Sequence, residues 1–274
     1  ETAQAALLER AKTDDRDAFA QLYTGVERPL AAFLYRLTAA RQDAEDLAQE
    51  TALQSLETIG QFPGACSFRA WILRIAARVA LEYLRGKKQW DPDAQMRASR
   101  QTSENAALRG RLRKLHKSGL HTIYAIREHI DFCFICMGRS LPPHEQAALL
   151  LVEVHGFSEA EAAEMLEVSP SVLEFRVEQA RQALVDRFDE RCGLINKQGS
   201  CTQCADLDTL FHGDHRHTER ALFEIELEPQ AGPAQRAATL RRRLAIVGSI
   251  DPLRAEGTCL HDWLMNWIRE AGGY

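Results

Sequence analysis

The chain has 274 residues, a formal net charge of −5, 45% hydrophobic and 27% charged residues, as in a water-soluble globular protein. That length exceeds one small core and suits two domains with an addition. No apolar run reaches the roughly 18 residues of a membrane span, and no charged n-region followed by an apolar h-region opens the chain. No membrane partner and a cytoplasmic location are therefore expected. Aromatic residues are few, β-branched runs are scarce, and alanine, leucine, arginine and glutamate dominate, so an all-α fold is expected.

Residues 14–38 carry two apolar groups at helical spacing, Phe19, Leu22 and Tyr23, then Leu30, Phe33, Leu34 and Leu37. Pro29 lies between them and predicts the start of a second helix. Residues 43–59 predict another helix, with Asp43, Asp46, Glu50 and Glu57 on one acidic face and Ala44, Leu47, Ala48 and Leu56 toward a core. A solvated face is the ordinary reading of such a pattern. FPGAC at 62–66 breaks the helix. Ser67 then caps a basic stretch in which Arg69, Arg74, Arg78, Arg85, Lys87 and Lys88 meet one acid, Glu82. The mean charge, which alone argues against nucleic acid, conceals this segregation.

Residues 91–119 read as a linker, basic in its second half. Residues 120–137 predict a helix containing CFIC, followed by HEQAALLLVEVHG ended by Gly156. Ser158 and Glu161 form a capping box. Ser169 and Pro170 supply an N-cap and a proline at N1 for a long helix, so the two helices and their short turn match a helix-turn-helix. Residues 191–274 form an extension with RCGLINKQGSCTQC, FHGDHRH, a basic helix near 234–247 and a last helix striped by Leu260, Trp263, Leu264, Trp267 and Ile268. That stripe requires a burial partner.

The order of DAEDLAQET, FRAWILRIAARVALEYLR and LPPHEQAALLLVEVHGFSEAEAAEMLEVSPSVLEFRVEQAR resembles a bacterial sigma-70-type factor of the extracytoplasmic function group. CFIC and RCGLINKQGSCTQC resemble a subgroup with a cysteine-bearing C-terminal extension. The resemblance implies region 2 over 1–90, a linker over 91–119, region 4 over 120–190 and an extension over 191–274. It implies core RNA polymerase as a partner, through its clamp coiled coil and flap, along with promoter DNA and, in some members, an anti-sigma factor. Asp43, Asp46 and Glu50 would face the basic clamp. Phe68, Arg69, Trp71, Arg74, Arg78, Lys87 and Lys88 would meet the −10 element, cations on phosphate and flat rings on unstacked bases. Core packing is the alternative for Trp71.

Ser169, Ser171, Glu174, Phe175, Arg176 and Gln179 would read the −35 element in the major groove. The chain departs from the family pattern at Glu174 and Glu178, and at Glu167, which occupies a turn position where glycine is common. Seven cysteines without a secretion signal point to metal or redox chemistry rather than structural disulfides. Structural Zn2+ on Cys133, Cys136, Cys201 and Cys204 is expected, with a redox or metal-sensing site and plain core thiols as the other readings. Cys192 is a further candidate ligand, and His212, His215 and His217 read as a solvated loop more readily than a metal site. Cys66 reads as incidental. No phosphate-binding glycine loop, nucleophile elbow or H-E-x-x-H motif is present, so no enzymatic activity is expected. The expected function is promoter recognition and strand opening as a polymerase specificity subunit. The alternative is a metal- or redox-responsive helix-turn-helix regulator acting without polymerase.

Overall fold

In a computed structural model, the described residues are 2–94, 96–97, 100, 104, 122–192, 231–254 and 258–274. Every regular element among them is helical. α1 (Thr2–Lys12), α2 (Arg16–Thr38), α3 (Arg41–Thr58) and α4 (Phe68–Arg85) form the first bundle. Asp15 caps α2 by accepting from Ala18 N at 2.9 Å. Ala39 ends α2 in the left-handed region at φ 56°, its N–H on Tyr35 O. Ser67 Oγ accepts from Ala70 N at 3.1 Å and caps α4, as its hydroxyl predicts. Phe33, Leu34, Leu37, Ile72, Leu73 and Ala76 fill the centre. Each large apolar side chain buried there contributes roughly 1.5–3 kcal/mol.

Pro29 does not begin a second helix: it lies inside the single helix α2. A proline there removes one hydrogen bond to the carbonyl of Gly25, four residues earlier. Gly25 is exposed and has open space around it, so water can satisfy that carbonyl. The two flanking apolar groups then share one stripe.

α5 (Thr122–Gly138) begins the second body. α6 (Pro143–Leu149) widens into a π-helical turn over Leu150–Val154, in which His155 N bonds Leu150 O at 2.9 Å. Gly156 follows at φ +73°, the left-handed stop that glycine adopts without strain. α7 (Glu159–Met165) opens on the complete capping box of Ser158 and Glu161. α8 (Pro170–Arg191) opens on Ser169, whose Oγ accepts from Val172 N. α9 (Pro233–Gly248) and α10 (Thr258–Gly272) complete the described chain.

One contiguous apolar core runs from the first bundle through α5–α8 into α9 and α10. The stripe of α10 is covered: Leu264, Met265 and Ile268 are buried, and Trp263 and Trp267 pack on the core edge with their rings stacked. Arg36, 2% exposed, sits where three bodies meet. Its Nε donates to Asp131 Oδ1 of α5 at 3.0 Å, and Nη2 donates to Val247 O in the last turn of α9 and to Ile250 O just after it. Its own carbonyl accepts from Gln146 Nε2 at 2.7 Å. Burial lifts the Asp131 carboxyl above its ordinary value, against the pull of Arg36.

Candidate nucleic-acid and partner interface

α3 and α4 pack together through apolar faces, and their charged faces turn outward. Asp46 and Glu50 are exposed and, among the described residues, accept along their own helix from Gln42 and Gln54. Leu53 stands 62% exposed beside them. Its place off the core stripe is the sequence signal that the acidic reading passed over: an apolar contact ringed by carboxylates. Asp43 differs, half-buried, 3.9 Å from Arg269 of α10 and beside Tyr83.

On α4 the charges and the rings part company. Phe68 and Trp71 are buried, packed edge-on against Phe62 with centroids 6.3 and 5.4 Å away. Trp71 thus takes its alternative, core reading in this conformation, and Phe68 joins it. Both lie on the inward side of a helix whose other side must stay charged. Arg69 reaches the second body: Nη2 donates to His155 O at 2.9 Å, and the guanidinium covers the Phe157 ring at 4.8 Å. Desolvation lowers the Arg69 pKa from its ordinary value. Burial, with Arg36 and Arg69 adding repulsion, pushes His155 down to about 3, so its ring is neutral. Arg74 Nη2 donates to Glu167 Oε1 at 2.8 Å. Arg78 remains exposed on Gln54, Lys87 lies over Tyr83, and Lys88 lies over Tyr274.

The leading half of α8 is open. Ser169, Ser171, Val172, Glu174, Phe175 and Gln179 are exposed, Phe175 by 61%. Arg176 is half-buried, with Nη1 unpartnered among the described residues. Glu178 lies 3.6 Å from Arg181, which also binds Glu153, so its charge is partly offset. Glu174 makes no ion pair among the described residues. Glu167 holds φ +53°, the left-handed turn geometry that glycine usually supplies.

The family description Sigma-70 region 2 matches residues 22–90, and Sigma-70, region 4 matches residues 132–184. The chain belongs to the sigma-70 family. Among curated sigma factors it is 31% identical over 166 residues to the ECF RNA polymerase sigma factor SigG of Mycobacterium tuberculosis, covering 57% of this chain and 45% of that one. It is 27% identical to the ECF RNA polymerase sigma-E factor of Haemophilus influenzae, covering 67% and 94%, and 25% identical to the RNA polymerase sigma-H factor of Pseudomonas aeruginosa, covering 65% and 90%. These place it in the extracytoplasmic function group. The chain spans about half the length of the SigG relative. A solved structure of the sigma factor RpoE with the anti-sigma factor NepR from Bartonella quintana aligns at 20% identity and a TM-score of 0.42, over 62% of this chain and 96% of that one.

In sigma terms, α2–α4 fall in the region 2 match and α6–α8 in the region 4 match. α9 and α10 lie outside both. No helix among the described residues is long and apolar enough to cross a membrane. Cys133 and Cys136 are one turn apart on α5 and buried, and Cys192 Sγ lies 3.1 Å from Arg243 Nη2. Cys201, Cys204 and the histidines at 212, 215 and 217 lie outside the described residues, as does most of the linker expected over 91–119. Among the described residues no group of three or more His, Cys, Asp or Glu is placed to hold a metal.

Proposed function

We propose that this sigma-family chain directs RNA polymerase to promoters and promotes strand opening there. The observation that carries the reading is the pairing of two outward surfaces in the family order. One is an acidic face with a central exposed leucine on α3; the other is the open leading half of α8 beyond a helix-turn-helix. Asp43, Asp46 and Glu50 with Leu53 suit a basic, ridged polymerase partner. Arg69, Arg74, Arg78, Lys87 and Lys88 suit the phosphates of parted strands, and Ser169, Ser171, Glu174, Phe175, Arg176 and Gln179 suit the major groove. The chain does no covalent chemistry in this scheme. Binding energy for the open strands drives melting, and the polymerase forms the bonds. The same reading makes region 2 end near residue 90 and region 4 near 190, and places the chain in the cytoplasm with the polymerase. An anti-sigma protein competing for α3 belongs to this proposal.

The test is reconstitution. Purified chain with core polymerase should start transcripts at a defined set of sites. Replacing Asp43, Asp46 and Glu50 by alanine should weaken core binding by roughly a hundredfold, the scale of about 3 kcal/mol from charge pairs lost at an interface. Core affinity unchanged by that triple substitution would leave the assignment of α3 without support.

Structural zinc on Cys133, Cys136, Cys201 and Cys204 is a separate proposal. What favours it is donor chemistry, thiolates at i and i+3 sharing one face of α5. Cys201→Ser with Cys204→Ser should remove one zinc per chain in metal analysis of the dialysed protein.

A further inference from the structure

Two bodies that are to hold the −10 and −35 elements touch each other here. Elements about 25 base pairs apart are separated by roughly 85 Å along B-form duplex. Arg74 on α4 and Glu167 in the helix-turn-helix are in a 2.8 Å ion pair. Arg69 is engaged on His155 and Phe157. The same conformation cannot span a promoter, so the described state is a closed one and the chain must open to act.

The two regions meet directly through the buried Arg36–Asp131 pair and Gln146 Nε2 on the Arg36 carbonyl, and the extension adds a second set of contacts that bridges them. Asp251, after α9, pairs with Arg28 of α2 at 3.0 Å. Asp262 of α10 accepts from Tyr35 Oη and from Arg41 Nε at 3.1 and 2.9 Å. The turn between α9 and α10 supplies the Ile250 carbonyl to Arg36, and the Tyr274 ring stacks on Trp90. On the other side, Arg236 and Arg243 of α9 hold Asp189 and Cys192 at the end of α8. The Arg74–Glu167 bridge is exposed and weak by comparison. We propose that α9, α10 and residues 249–254 are an intramolecular clasp that helps keep region 2 shut on region 4 and withholds Arg69 and Arg74 from DNA until it is released. This rests on the promoter-recognition reading.

The test uses the full chain carrying Asp251→Ala and Asp262→Ala, with Arg28→Ala and Arg41→Ala as a second variant that removes the same contacts from the region 2 side. Hydrogen exchange is read over 69–74 and 155–167, together with core-polymerase affinity and transcript yield. If the closed form dominates, both variants should exchange faster there and bind core roughly tenfold tighter, since apparent affinity scales with the competent fraction. Transcript yield should rise with it. The clasp is overturned if exchange stays slow in both variants, or if exchange quickens and core affinity does not change. If neither wild type nor variant binds core or starts transcripts, the promoter reading falls and this inference with it. The exchange data tell that failure apart from a missing clasp.

Discussion

The two helices that carry the candidate promoter contacts are in opposite conditions. α8 presents Ser171, Val172 and Phe175 to solvent, with no interdomain partner for these side chains among the described residues. α4 has Arg69 folded onto His155 and Phe157, Arg74 on Glu167, and both of its candidate aromatic rings in the core. The difference follows from where each helix sits: α8 lies at the rim of its body, whereas α4 is wedged between two. Under the proposed assignment, the surface for duplex DNA is exposed in this state and the cations for parted strands are engaged elsewhere.

The largest effect should come from the residue that enforces the difference. Arg36→Met removes the cation from a site that holds the Asp131 carboxylate and two carbonyls out of water. Breaking one partner of a buried pair costs about 3–5 kcal/mol. Urea denaturation should show that loss, and Asp131→Asn added to Arg36→Met should recover part of it, because the stranded charge is then gone. A loss under 1 kcal/mol would mean the knot does not hold the bodies together, and α4 would then be open in solution as α8 is.

Next comes the open side. Phe175→Ala should leave folding stability within about 0.5 kcal/mol, as expected at an exposed position. Holoenzyme affinity for −35 duplex should fall roughly tenfold, the scale of one lost base contact. A stability loss with no change in DNA affinity would place Phe175 in packing and cancel the contrast between the two helices.

Much of the helical frame was legible from local chemistry. Ser67, Ser158 with Glu161, and Ser169 with Pro170 each cap the helix their side chains predicted, because a cap depends on neighbours within one turn. The acidic face of α3 was legible for the same reason. What escaped was everything set by distant packing. Pro29 reads as a start signal, yet an exposed Gly25 lets the helix run through it. Phe68 and Trp71 share a helix with four arginines, and composition could not say which side faced inward. Arg36 reads as a surface cation in a helix, and its buried role comes from distant partners: Asp131 and the carbonyls of Val247 and Ile250. Gly138 is similar: a Cβ there would come within 2.7 Å of Gln146 Nε2, the donor to the Arg36 carbonyl.

A smaller effect should follow pH. His155 titrates near 6.5 when unfolded and near 3 in the fold, where Arg36 and Arg69 face it from α2 and α4. A depressed histidine leaves the folded state with fewer protons than the unfolded one. Its contribution is intact above pH 6.5 and declines as pH falls from there toward 3. At pH 5.5 that amounts to about 1.4 kcal/mol, at 1.36 kcal/mol per unit. The stability difference between wild type and His155→Gln should therefore narrow by that amount from pH 7.5 to 5.5. Protection factors over 69–74, which correct for the intrinsic slowing of exchange as pH falls, should decrease in wild type over the same range. A constant difference would mean that the ring keeps its ordinary pKa in the closed state and that burial beside Arg36 and Arg69 does not depress it.

The smallest effect belongs to Glu167, and its smallness is the test. Its backbone sits at φ +53°, which costs a residue with a Cβ about 1 kcal/mol relative to glycine. Glycine would relieve that strain, but it loses an exposed ion pair of about 0.2–1 kcal/mol and adds about 0.4–1 kcal/mol of unfolded-chain entropy. The terms nearly cancel, so Glu167→Gly should change stability by less than about 0.5 kcal/mol. Glu167→Ala keeps the strain and loses the bridge, and should be the less stable of the two. Once Arg74 is alanine, the alanine variant's loss should shrink by the worth of the bridge, while the advantage of glycine over alanine persists. If that advantage vanished with Arg74, the turn would carry no strain, and Glu167 would occupy a glycine position for its charge alone.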